Sequence, residues 1–479
     1  MTAAPHLRSL RCWLACAPLL FAVFTASDAR AGQAGSGISI AYQGMFIGDT
    51  TIAGEQKKDG LQPSHPYCWQ LSRDRWFWLY QTRGFEGIDA EHSVLYQLRR
   101  DAPDGPVMTE GRLAQFRNDW DPLNDGSRHW KIHGHPKVFG VPRGARAADG
   151  RPFTNDNIFA AAWYVRGRAV AEGKLLDPKA DKVLTAMQHL DWVHFRLNDR
   201  SDDIELLGSP VRLRQRGFEE GDAFCSAFPG RVRMNHWQHP AMPMDAAHTR
   251  WLDTPHFDGD GVAAIEYRFN AATRRYEWVR TGAVVRSDPN IKGRFFEGSV
   301  NRLGEEWILC IRNRGHILPG RRGECTAWFK TTRPFDDWGS VTYAETPSTY
   351  GPRTAWLMAD GVLRIFSGDM AASPYRQGQS GKRDPLFCWD VNPKDFSVST
   401  PRTILDGRKT LGMELPMIGF AKLSPVHDNR QILTFRVTTM NHQHATDTMP
   451  AVSAHDLAQS GAYYSVITFT HRVEDTWRF

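Results

Sequence analysis

The chain has 479 residues, with 17 Trp, 26 Phe and 12 Tyr, 23% charged residues and a formal net charge of +6. A chain this aromatic and this weakly charged is not disordered, and its length allows a core that needs no disulfides. The excess of Lys and Arg is small and forms no long run, which argues against nucleic acid as the default partner.

In chain order, the first segment reads as a secretory signal. Arg8 and Arg11 form a positive n-region, residues 13–24 are apolar, and Ala29-Arg30-Ala31 is a small-residue cleavage site. Cleavage near residue 31 predicts a secreted or periplasmic protein, with no membrane contact after processing. The rest, 32–479, reads as one domain with longer loops in about 116–260. Export leaves Cys68, Cys225, Cys310, Cys325 and Cys388, an odd number in an oxidising compartment. Cys310 and Cys325 flank a short loop, which makes a local disulfide a candidate. CxxC spacing is absent, so a zinc knuckle is unsupported.

Beyond the signal the recurrent pattern is short aromatic and β-branched runs separated by Gly, Pro, Asn and Asp, the mark of antiparallel strands. One segment, residues 179–189, has helical character. Residues 65–84 and 296–315 match as a short strand, a polar turn, an aromatic strand and an Arg-Gly exit. Further copies begin near 354 and 419, and a third strand follows each at 93–98, 326–331, 385–390 and 463–468. Intermediate strands are predicted at 138–141, 158–165, 192–197, 204–207, 263–269 and 276–281. The prediction is an all-β propeller of six or seven four-stranded antiparallel blades, with Trp filling the wedges between them.

In such a disc, residues before the innermost strand and after the second one meet near the central channel, where loops carry function. Inner-strand starts are His65, Tyr67, Arg294, Glu297 and Arg353. Exits include Arg83, Arg314, His316, Asp369, Tyr375, Arg376 and Arg436. Arg83, Arg314 and Arg436 hold comparable places in three repeats. Converging guanidinium groups make a bidentate receptor for a carboxylate. His129, His133 and His135 precede another strand, and H-x-H spacing puts two rings on one side. His236 and His239, with Cys225, are weaker candidates. No third ligand completes a metal site, so no metal and no cofactor are predicted. The FDGDG turn at 257–261 lacks the downstream Glu of a calcium loop. Walker, GxSxG and HExxH motifs are absent.

FFEGSVNRLGEEWILCIRNRG (295–315) and RDPLFCWDVNPKDFSVSTPRTILDG (383–407) resemble the sialidase-like superfamily of propeller proteins. The likeness is good over about 290–410 and weak over 60–115. The Asp-box turn is not intact, and PFDDWGSVTY at 334–343 is a degenerate echo of it. The resemblance implies an Arg cluster gripping an acidic sugar, here Arg294, Arg314 and Arg353, with Glu297 as the functional carboxylate.

Three functions follow as expectations. The first is a glycoside hydrolase using Glu297 with Asp369 as its carboxyl partner. The second is a polysaccharide lyase on uronate glycans. There Arg314 or Arg83 neutralises the carboxylate, His133, His135 or His316 removes a proton, and Tyr67 or Tyr375 protonates the leaving oxygen. Arg376 and Arg436 belong to the same substrate-binding set. The third is a monomeric, non-catalytic propeller that binds an acidic oligo- or polysaccharide.

Overall fold

Alternating aromatic and aliphatic residues in runs such as RWFWLYQTR give strands buried on both faces, and such strands must be sandwiched between neighbouring sheets. The computed structural model describes residues 37–49, 62–83, 93–115, 117–120, 126, 129–146, 150–171, 174–175, 189–198, 202–212, 234–235, 241–257, 261–288, 290, 293–319, 324–344, 353–368, 383–439 and 453–477. The predicted signal segment, residues 1–31, lies outside them. From Gly37 onward the chain forms one compact unit.

Six antiparallel sheets make a six-bladed propeller. The first blade is Gln62–Ser72, Arg75–Arg83, Val94–Arg100 and Val107–Ala114, inner to outer. In the second, His129–Val141 is innermost, followed by Ile158–Ala171, His189–Asn198 and Asp203–Leu206, and Arg117–Trp120 is added beside the inner strand. In the third the inner strand is split into Arg250–Asp253 and His256–Phe257, with Met242–Pro243 and Met234–Asn235 added beside it, and Gly261–Asn270 and Arg275–Val285 follow outward. The fourth is Arg294–Leu303, Glu306–Ile317, Glu324–Thr331 and Thr342–Ala344. The fifth is Thr354–Leu357, Leu363–Gly368, Leu386–Val391 and Arg402–Leu405. The sixth is Pro416–Leu423, Arg430–Thr439 and Gly461–Phe469, completed by Ile38–Gly48 from the start of the unit.

The predicted wedge role of Trp is seen directly. Trp69, Trp78, Trp163, Trp328, Trp389 and Trp477 are almost fully buried. Trp328 of the fourth blade stacks on Phe396 of the fifth, with ring centroids 4.6 Å apart. Trp477, after the last strand, meets Trp69 of the first blade edge-on at 5.2 Å. Such offset and edge contacts suit aromatic quadrupoles as well as filling space.

One expectation changes. Cys310 and Cys325 form no disulfide, and both are buried free thiols. Cys310 lies opposite Trp328 in the sheet, so Cys325, three residues earlier on that strand, is not its neighbour across it. The helix predicted over 179–189 falls outside the described residues apart from His189, which begins a strand. Among the described residues two five-residue helices occur late in the chain, Gly407–Leu411 and Ala454–Ala458, capped by Asp406 and Ser453 side chains.

Candidate active site at the central channel

In four of the six blades the inner strand is broken by a β-bulge at a similar level. The residue there is not glycine, yet it adopts left-handed backbone geometry: His65 (φ 52°), His135 (φ 49°), Glu297 (φ 51°) and Phe420 (φ 59°). A bulge re-aims one side chain out of the pleat, and a left-handed non-glycine residue costs about 1–3 kcal/mol. Such outliers cluster at functional sites, which makes this level of the disc the candidate site.

Three of these side chains meet, those of His65, His135 and Phe420. The His65 and His135 rings are stacked at 3.8 Å with planes 27° apart, and Phe420 lies 4.0 Å from His65 on a tilt. His65 Nδ1 is 3.0 Å from Ser64 Oγ. The His135 backbone N–H donates to Gln81 Oε1 at 2.5 Å, which pins the second blade to the first. The Arg383 guanidinium lies 5.8 Å from the Phe420 ring centre and extends the cluster to the fifth blade.

Two lysines support this layer. Lys422 Nζ of the sixth blade donates to Pro136 O of the second at 2.9 Å and to His65 O of the first at 3.4 Å. Lys137 Nζ pairs with Asp253 Oδ2 at 2.5 Å, and the Tyr267 hydroxyl donates to the same oxygen at 3.2 Å. Burial lowers the Lys137 amine to about 7 against the pull of Asp253. Burial, then repulsion from Lys137, lowers Lys422 to about 7.

Glu297 is buried, and Arg312 Nη1 lies 3.2 Å from each of its carboxylate oxygens. Arg353 is completely buried at the start of the fifth inner strand. It acts on Cys310, whose thiol burial pushes up to about 12 although Arg353 pulls it the other way.

The other predicted residues are placed as follows. Tyr67 is buried with Lys422 Nζ 5.9 Å from its ring centre, and burial raises its hydroxyl well above the usual range. His133 and His135 do not share surroundings, because the left-handed backbone at His135 breaks the alternation that H-x-H spacing assumes. His133 Nε2 sits 3.0 Å from Gln115 O, and its ring meets Trp163 edge-on, whereas His135 faces His65 and Tyr164. His316 is half-buried with its ring against Tyr343, centroids 4.9 Å apart. Arg294 is exposed and lies opposite Arg314 in the sheet. Arg83 and Arg314 belong to strands whose side chains there lie outside the described residues, as do Asp369, Tyr375, Arg376, His236, His239 and Cys225 altogether. Arg436 is buried against Asp49, with Nη2 2.6 Å from Oδ2 and a second bond to Pro63 O at 3.2 Å. That arrangement ties the sixth blade to the first strand of the unit and to the first blade.

Sequence reasoning did not single out Lys137, Lys422, Arg383, Phe420 or Asp253. A signal was present: His-Pro occurs at 65–66 and at 135–136, each time at the bulge. Among the described residues no group of three or more His, Cys, Asp or Glu could hold a metal ion.

No family model matches the sequence, and no curated protein matches it either. Solved structures do match in shape. The Trypanosoma rangeli sialidase in complex with the inhibitor DANA is 10% identical, with a TM-score of 0.50, over 91% of this chain and 60% of that one. A Hadza microbial sialidase is 12% identical, with a TM-score of 0.45, over 79% of this chain and 66% of that one. The Penicillium chrysogenum α-L-arabinanase complexed with arabinobiose is 9% identical, with a TM-score of 0.42, over 91% of this chain and 100% of that one. The chain thus spans about 60% of the length of the trypanosomal sialidase. With six antiparallel blades and that likeness in shape, the fold is a six-bladed β-propeller like that of the trypanosomal sialidase.

Proposed function

We propose that the protein is an exported glycoside hydrolase that cleaves an acidic glycan at the channel mouth. The observation that supports this is the set of inner-strand bulges, at which His65, His135 and Glu297 are buried left-handed residues, with the two imidazoles stacked on each other and Arg312 beside the Glu297 carboxylate. Strained, buried polar side chains gathered at the axis of a rigid disc suit catalysis more than passive binding. Arg312 holds the Glu297 carboxylate in one orientation, from which it serves as nucleophile or as the base that activates water. A second carboxyl group, for which Asp369 is the candidate, protonates the leaving oxygen as the glycosidic bond breaks. Arg353 and Arg383, with Arg294, Arg314, Arg83 and Arg376 as further candidates, bind the sugar carboxylate through paired N–H donors.

The test is the release of reducing ends from a panel of acidic glycans. Glu297→Gln keeps the size and removes the charge, so turnover should fall at least about 100-fold. Unchanged turnover in that variant would refute the role of Glu297.

The stacked His65–His135 pair favours a second reading, β-elimination on a uronate glycan. One imidazole takes the proton at C5, an Arg neutralises the carboxylate, and Tyr67 or a neighbouring hydroxyl protonates the leaving oxygen. Elimination leaves an unsaturated, ultraviolet-absorbing product and consumes no water. Its appearance would replace the hydrolase assignment.

A further inference from the structure

The channel mouth lies at the end of the disc where Gln62 pairs with Arg83 and Pro416 with Thr439. At the opposite end, the turns that follow Gln62–Ser72 and Pro416–Leu423 face each other across the junction of the first and sixth blades. Between them is a cavity of about 470 Å³. That volume is in the range of small-ligand pockets.

Its lining is specific. Trp76, half-buried, lines the cavity with its indole. Arg73 and Arg430 are exposed at the cavity, and neither guanidinium has a carboxylate partner among the described residues. Asp101, Asp428 and Asp475 supply carboxylates. Asp475 is held in place, 3.3 Å from His427 Nδ1 and accepting from the Asp428 backbone N–H at 2.9 Å. Two cations against three carboxylates give no positive excess, so the cavity is not built to collect an anion. An aromatic face beside charged donors and acceptors matches a ring with an apolar face and an edge of hydroxyls, because charged partners strengthen hydrogen bonds to hydroxyl groups.

We infer that this cavity is a second carbohydrate site, distinct from the channel. It takes a neutral sugar whose ring lies on Trp76 and whose hydroxyls bridge Arg73, Arg430 and the three aspartates. It lies at the far end of the inner strands from Glu297 and does no chemistry. Its effect is to hold a neutral glycan chain against the protein. The inference does not rest on the hydrolase assignment, since binding here is measured without turnover.

The test is calorimetric titration of the full chain with cellotriose, xylotriose, maltotriose and arabinotriose. At least one binds with a Kd between about 10 μM and 1 mM, as expected for a shallow polar site. Trp76→Ala weakens it tenfold or more, and so does Arg430→Ala, an exposed substitution that leaves Tm unchanged. No binding by any of the four sugars, or binding that survives both substitutions, overturns the inference.

Discussion

The imidazoles of His65 and His135 lie face to face, 3.8 Å apart, although they come from different blades and from residues seventy positions apart. Each is the left-handed residue of its inner-strand bulge, and each is followed by proline. Because the contact exists only when the first two blades are docked, it ties the chemistry of the channel to the packing of the disc.

If this pair moves a proton in the reaction, His135→Ala should lower kcat by about 10²- to 10⁴-fold, the usual worth of a positioned acid or base. Steady-state kinetics with a Tm measurement on the same sample checks it. A fall in Tm with kcat intact would make the pair a packing element alone.

Arg436 and Asp49 form a buried ion pair across the closure of the ring. Arg436→Ala strands the Asp49 carboxylate in a site whose burial already raises its pKa despite Arg436. Removing one partner of such a pair costs about 3–5 kcal/mol. Urea unfolding should show that loss, and the double variant Asp49→Ala, Arg436→Ala should recover part of it.

His194 is buried, and burial lowers it to about 3, with Arg275 adding to the effect. Its Nε2 accepts the Tyr276 backbone N–H at 2.9 Å, which only the unprotonated nitrogen can do. Burial likewise lowers His248 to about 4. Below about pH 6.5 the unfolded chain takes up protons that the folded chain refuses. The stability these rings confer is therefore full above that pH and is lost as pH falls toward 4, by about 1.4 kcal/mol per unit for His194. The urea midpoint at pH 4.5 should lie below that at pH 7, and His194→Gln should shrink the difference.

Lys137 and Lys422 have the same sign in a higher window. Both are lowered to about 7 in the fold, so between pH 7 and the unfolded lysine value near 10.5 the unfolded chain binds more protons. Stability should rise with pH across that interval. Lys422→Met should flatten the rise, and a midpoint that moves identically in both proteins would contradict the assignment.

The repeat of aromatic strand, polar turn and Arg-Gly exit was legible in the sequence because period-two burial and turn residues are local properties. Blade count was not, since the third blade has a split inner strand and no clear copy of the repeat. Glu297 and Arg353 were named from their places in the repeat, and His135 from the His-x-His spacing before a predicted strand. His65 was placed at a strand start, but its partnership with His135 depends on docking between blades. Lys422 is harder still. A lysine inside an apolar strand, PMIGFAKL, looks like an edge charge until the carbonyls of two other blades are brought to it.

The outermost strand of the sixth blade, Ile38–Gly48, is made first, and its partner, Gly461–Phe469, is among the last segments made. Every other blade can form its hairpins from neighbouring sequence as the chain emerges. The ring cannot. The strand Gly461–Phe469 joins Arg430–Thr439 to Ile38–Gly48, so the sixth blade is complete only when segments from opposite ends of the described chain lie in one sheet. Deleting Ile38–Gly48 should therefore loosen the sixth blade and leave Arg436 without Asp49 beside it, although the residues of the other five blades are all kept.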